Sequence, residues 1–116
     1  MTHDRPRLPT ALLALAAMTC RPAAPRLNAD ELAAHLVHFP DWTLAGDRVE
    51  KSFAFADYHQ TMAFVNALAW IAHREDHHPD LGVHYNRCDV TFSTHDAGGV
   101  TLNDLICAAK AERLFA

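Results

Sequence analysis

The stretch from Asp57 to Pro79 restricts the fold more than any other part of this chain. Tyr58, Met62, Val65, Leu68, Ala69 and Ala72 recur at helical spacing, widened by Phe64 and Ile71, and make one apolar stripe. Asp57 stands at the N-cap position with Gln60 at the reciprocal one. Pro79 ends any helix and pushes His78 towards extended backbone. One long helix over residues 58–75 therefore divides the chain, and each half carries its own pair of strands. Before it, residues 41–44 and 49–55 alternate as strands do, with Phe53 and Phe55 on one face. Ala45-Gly46-Asp47-Arg48 is the turn between them, where Gly46 is free to take a positive φ. After it, residues 83–86 and 88–95 read as a second pair. Cys88, Val90, Phe92 and Thr94 then share one face, and Asp89, Thr91, Ser93 and His95 share the polar one.

Helices close both ends. Asn28-Ala-Asp-Glu31 reads as a capping box between Leu27 and Leu32, and Leu36 and Phe39 extend a helical pattern over 29–39 that Pro40 stops. Gly98-Gly99 marks a loop. Thr101-Leu-Asn-Asp104 is another capping box, ahead of an apolar face made by Leu102, Leu105, Ile106 and Ala109. The order is α-β-β-α-β-β-α. Short turns between paired strands imply a four-stranded antiparallel sheet with helices packed on one face, an α+β fold.

A chain of 116 residues is one domain, and 50% hydrophobic with 21% charged residues is ordinary for a globular protein. A formal charge of −4 without any basic run gives nucleic-acid binding no electrostatic support. Cys20, Cys88 and Cys107 are an odd number without metal-ligand spacing, which reads as reduced thiols in a cytoplasmic protein. Residues 28–116 are expected to form the domain and residues 1–27 a poorly structured extension. Arg5 and Arg7 precede the apolar run Ala11–Met18, which is far too short to span a bilayer. It reads either as a weak secretory signal or as translation upstream of a start at Met18, and deleting residues 1–17 is expected to leave the fold intact.

Five of the nine histidines fall between positions 73 and 95. Imidazoles titrate near neutral pH, so such a cluster can exchange protons or hold a metal. His73 and His77 stand at i, i+4, the spacing of two zinc ligands. However, the string His73-Arg-Glu-Asp-His77 lacks the Glu directly after the first His, and no third ligand follows at a diagnostic spacing. No metal and no cofactor are expected. Asp104 has a structural reading as the acidic partner of the Thr101 box, and His84 falls in a short strand as a surface residue.

The full string His73-x3-His77-His78-Pro79-x5-Tyr85-x9-His95-x8-Asp104 resembles the motif of the pterin-4a-carbinolamine dehydratases, a likeness running from about Asn28 to the C-terminus. The resemblance implies a four-stranded antiparallel sheet with helices on one side, a homodimer or homotetramer, and a pterin substrate. It implies His77, His78 and His95 as catalytic groups. It also places Asp104 in the site, Ser93 and Thr94 at the strand end that contacts the pterin, and His73 where many members carry a Glu. The implied reaction is loss of water from a 4a-hydroxytetrahydropterin, left by an aromatic amino-acid hydroxylase, to give the quinonoid dihydropterin. One group must deliver a proton to the departing hydroxyl and another must take one from N5, which imidazoles can do without a metal. His77 and His95 are expected to transfer protons, His78 to bind or to act as a second proton carrier, and Asp104 to orient an imidazole or a pterin donor. Two other classes are a non-catalytic interaction or assembly factor on the same scaffold, and a metal-binding protein built on His73, His77 and a further histidine.

Overall fold

The computed structural model describes residues 7–116. From Asn28 onward its elements follow the expected order. They are α2 (Ala29–Leu36), β1 (Thr43–Ala45), β2 (Arg48–Ala54), α3 (Tyr58–Glu75), β3 (Asp80–His84), β4 (Arg87–Phe92), a 3-10 turn (His95–Ala97) and α4 (Leu102–Phe115), with one helix, α1 (Thr10–Ala16), ahead of them. Local chemistry fixes several boundaries. The Asn28 side chain accepts from the Glu31 amide at 2.8 Å, and Glu31 Oε1 accepts from the Asn28 amide at 2.9 Å, so the box at α2 is reciprocal. Asp57 caps α3 by accepting from the Gln60 amide, while the Gln60 side chain reaches the Ala56 amide instead. Gly46 turns the first hairpin at φ +62°.

All strand pairs are antiparallel in the order β1-β2-β4-β3, so β2 and β4 are central and β1 and β3 are edges. The register sets Val49 opposite Phe92, Phe53 opposite Cys88 and Leu81 opposite Val90. This puts Val49, Phe53, Cys88, Val90 and Phe92 on the buried face, where they join Phe64 and Leu68 of α3 and Leu105 and Ala108 of α4 in one core. The opposite face is polar. There Asp89 accepts from Ser52 at 2.6 Å and from Arg87 at 2.9 Å, and lies 3.3 Å from His84. The Ser52 hydrogen bond is the largest cause of a carboxyl held below its ordinary value. On the core side, Lys51 pairs with the buried Glu112 of α4, and Trp42 Nε1 donates to the same carboxylate oxygen at 2.8 Å.

Three expectations need correction. The second hairpin is shifted towards the N-terminus: β3 begins directly after Pro79 because Leu81 packs on the core, and Tyr85 and Asn86 form the turn. β4 stops at Phe92, because Thr94 pairs back onto Gly99 through amide–carbonyl bonds of 3.0 and 3.3 Å. His95 therefore sits in the 3-10 turn rather than on the polar face of a strand. On α3, Tyr58 and Ala69 are exposed and Thr61 is buried in their place. The Thr61 hydroxyl donates to the carbonyls of Asp57 and Tyr85.

The described part of residues 1–27 is also not the poorly structured extension expected; residues 1–6 lie outside the described residues. α1 buries Leu12, Leu15 and Ala16 against α4, where small Ala108 and Ala111 let the helix come close, and Lys110 donates to the Ala16 carbonyl at 2.8 Å. Leu12 is fully buried. Removing residues 1–17 is accordingly expected to destabilise the domain. Leu12→Ala alone is expected to cost about 2–5 kcal/mol, the usual range for a buried Leu. Urea melts check this: an unchanged midpoint for Leu12→Ala would show that α1 contributes nothing to the fold.

Candidate active site

The C-terminus of α3 sets up the site. Asp76 takes the left-handed conformation at φ 51°, which a short polar side chain tolerates. The His77 amide then returns to the Ala72 carbonyl at 3.1 Å, and the chain swings out of the helix axis. That turn sends the His77 side chain inwards, where only 11% of it is exposed. Its ring lies nearly parallel to Phe92, with centroids 6.2 Å apart and planes 8° apart. Its Nε2 meets Asp104 Oδ1 at 2.5 Å.

Asp104 is fully buried, and a buried carboxylate needs partners for both oxygens. Its Oδ2 accepts from the Thr101 amide at 2.8 Å and from Thr94 Oγ1 at 2.7 Å; the Thr94 and Thr101 hydroxyls are themselves 2.9 Å apart. One carboxylate thus caps the N-terminus of α4 and holds an imidazole. Asp104 contacts both the Thr101 amide and the His77 imidazole. In the neutral tautomer that donates Nε2–H to Asp104, Nδ1 carries the free lone pair.

His77 and Thr94 line a cleft of about 800 Å³, together with Glu75, Asp96 and Asn103. Its far wall is the segment Cys20–Arg26, which no motif in the sequence pointed to. That wall is tied down by the Cys20 amide donating to Glu75 Oε1 at 2.7 Å. Asn103 then pairs both ways with the Arg21 backbone, at 3.1 and 2.7 Å. Arg26 bridges to Thr101, and its side chain lies over Gly99 so closely that a Cβ there would stand 2.9 Å from Nε. An Asn between two core-facing helix positions was the one signal for this arrangement, since a buried amide must find both a donor and an acceptor.

The fold brings His77, Thr94 and Asp104 together. It does not bring the others to them. His78 and His95 are exposed and do not line the cleft. Ser93 donates to the Asp47 carbonyl at 2.9 Å, on the turn between β1 and β2. His73 is exposed on α3 and stacks on Trp70 at 5.9 Å. The i, i+4 pair His73 and His77 is thus split between two environments. Among the described residues no three His, Cys, Asp or Glu side chains are grouped as a metal ion would require.

A helix-backed antiparallel sheet that fixes an imidazole on a buried carboxylate, at the side of a cleft, defines a scaffold suited to proton transfer. The profile of the family described as "Pterin 4 alpha carbinolamine dehydratase" matches residues 25–114. The chain belongs to that family. A Chromobacterium violaceum protein is 70% identical over 76 residues, covering 66% of this chain and 70% of its own length. A Xanthomonas campestris protein is 61% identical over 92 residues, covering 78% of each. The names of both assign them provisionally as pterin-4-alpha-carbinolamine dehydratases. A crystal structure from Brucella melitensis, described as a transcriptional coactivator/pterin dehydratase, superposes with a TM-score of 0.76 at 32% identity. It covers 78% of this chain and 99% of its own. A pterin dehydratase-like protein described as a RuBisCO assembly factor in the alpha-carboxysome shares the fold, with a TM-score of 0.55 at 24% identity over 65% of this chain and 87% of its own.

Proposed function

We propose that this protein catalyses loss of water from a 4a-hydroxytetrahydropterin, giving the quinonoid dihydropterin for re-reduction after an aromatic amino-acid hydroxylase has used the cofactor. The observation that carries this reading is the His77 imidazole held by a fully buried Asp104 at the cleft. In the reaction the C4a–O bond breaks, the hydroxyl leaves with an added proton as water, and N5 gives up its proton as the N5=C4a double bond forms. His77 is one of the two proton-transfer groups, and the Asp104 carboxylate stabilises the imidazolium that forms on it. His95, which follows Thr94 at the start of the 3-10 turn, is the other, and His78 binds or relays. Thr94 lines the cleft, and its hydroxyl, which donates to Asp104, holds that carboxylate in place beside the pterin.

Two further features belong to the same reading. The β1 and β3 edges leave backbone groups unpaired within the chain, and a homodimer or homotetramer would cover them. The three cysteines are free thiols, which fits a reducing cytoplasm, and no helix among the described residues is long and apolar enough to cross a membrane.

The test is dehydration of chemically generated 4a-hydroxytetrahydropterin by the purified protein, with the assembly mass read by light scattering. Acceleration that a chelator leaves untouched is expected, from a species heavier than one chain. Activity lost on chelation and restored by zinc would replace imidazole catalysis with a metal mechanism. A folded protein giving no acceleration would favour an interaction or assembly role on the same scaffold.

A further inference from the structure

We propose that Cys20 and Cys107 are a redox pair that closes to an intramolecular disulfide when a peroxide reaches Cys20. Their sulfurs are 3.6 Å apart across 87 positions of sequence. A disulfide has an S–S length of about 2.05 Å, so closure needs an approach of about 1.5 Å. Cys20 can supply that movement, because it lies in the irregular segment between α1 and α2, whereas Cys107 is fixed within α4. The two sulfurs also differ in access. Cys20 is half-buried beside the cleft, and Cys107 is 1% exposed. The third thiol, Cys88, is buried on β4 and faces the core.

This asymmetry assigns the roles. The hydrogen bond with Cys20, and then burial, push the Cys107 thiol up from its ordinary value, so Cys107 holds its proton, although either sulfur can be the donor between them. Cys20 is the sulfur that meets the oxidant. Its attack on a hydroperoxide breaks the O–O bond, leaves a sulfenic acid on Cys20 and releases one water (or an alcohol, from an organic peroxide). Cys107 then attacks the Cys20 sulfur, the S–O bond breaks, and the departing hydroxyl leaves as water with the Cys107 proton. Two thiols are oxidised by two electrons and one peroxide is reduced.

The bond would join two parts of the site. Cys107 stands one helical turn beyond Asp104, and Cys20 begins the wall Cys20–Arg26. In the reduced state hydrogen bonds and the packing of Cys20 and Ala24 hold that wall, and in the oxidised state it is also fastened covalently to the helix that carries Asp104.

The full-length reduced protein, treated with hydrogen peroxide and then alkylated under denaturing conditions, is expected to drop from three free thiols to one. Trypsin leaves Cys88 and Cys107 on one fragment, residues 88–110, so the Cys88→Ser variant identifies the partner; it should lose both remaining thiols in a fragment linked to residues 8–26. Cys20→Ser and Cys107→Ser should form no intramolecular disulfide. Cys107→Ala repeats the second of these if serine at a buried site unfolds the chain. Oxidised wild type should melt higher than reduced by at least about 4 °C, since a loop of this length constrains the unfolded chain, and dithiothreitol should reverse the shift. An unchanged thiol count, a linkage between chains only, or an equal thiol loss in Cys20→Ser overturns the pairing.

Discussion

His77→Ala is expected to slow single-turnover dehydration by about 10²–10⁴-fold, the usual worth of a positioned general acid or base. His77 is the histidine whose ring is fixed on two sides, by Phe92 beneath it and by Asp104 at Nε2. Alanine also strips the buried carboxylate of one partner, which costs about 1–3 kcal/mol of stability through an unsatisfied group. A second variant separates the two effects. His77→Gln keeps an N–H for Asp104 but cannot carry a proton at neutral pH, so it should regain most of the lost stability and none of the rate. His95→Ala should fall in the same range of rate loss, with little effect on stability because the ring is exposed. The double variant should be less harmful than the product of the singles, as for residues that act as a unit. His84 is the control: it pairs with Asp89 on the polar face of the sheet, away from the cleft, so His84→Ala should leave the rate nearly unchanged. If His77→Gln is folded and fully active, the proton-transfer role of His77 is wrong.

Glu112→Ala should be the most damaging substitution for stability. Glu112 and Lys51 are nearly buried, with side chains 5% and 11% exposed, and Trp42 Nε1 shares the Glu112 oxygen that Lys51 uses. Removing the carboxylate leaves an ammonium without its ion partner between Phe53 and Phe115, and an indole N–H without an acceptor. Breaking a buried pair from one side costs about 3–5 kcal/mol, a large part of the 5–15 kcal/mol that holds a typical domain folded. Replacing both ends with apolar residues of similar volume, as in Lys51→Met with Glu112→Leu, should cost far less, because no charge is left behind. Urea titration of the single and double variants decides it. A double variant as unstable as Glu112→Ala would mean that the pair itself, and not the orphaned charge, carries the stability.

Much of the architecture was legible because its signals are local. The start of α3 follows from the Asp57 cap, Pro79 bars extension past it although the left-handed Asp76 ends the helix earlier, and the boxes at Asn28 and Thr101 mark the starts of α2 and α4 within four residues of sequence. What escaped is non-local. The apolar run of α1 makes sense only against the small residues of α4, more than ninety positions away. β4 was read through to His95 because alternation continues past Phe92. Nothing local reveals that Thr94 prefers Gly99 as its partner over the neighbouring strand. The same holds in the site. The family motif marks Asp104 and His77, but the wall Cys20–Arg26 is bound by contacts spanning 55 to 87 positions, which no periodicity encodes. Lys51 and Glu112 likewise look like ordinary surface charges until the register of β2 turns Lys51 inwards.

The double duty of Asp104 has a consequence for how such chains diverge. A lineage that let its imidazoles drift would still gain from this carboxylate at the first turn of its last helix, where losing a cap costs about 0.5–2 kcal/mol. The aspartate can therefore persist for the sake of the helix alone, and its presence in a relative says less about a proton-transfer site there than an imidazole resting on the residue equivalent to Phe92.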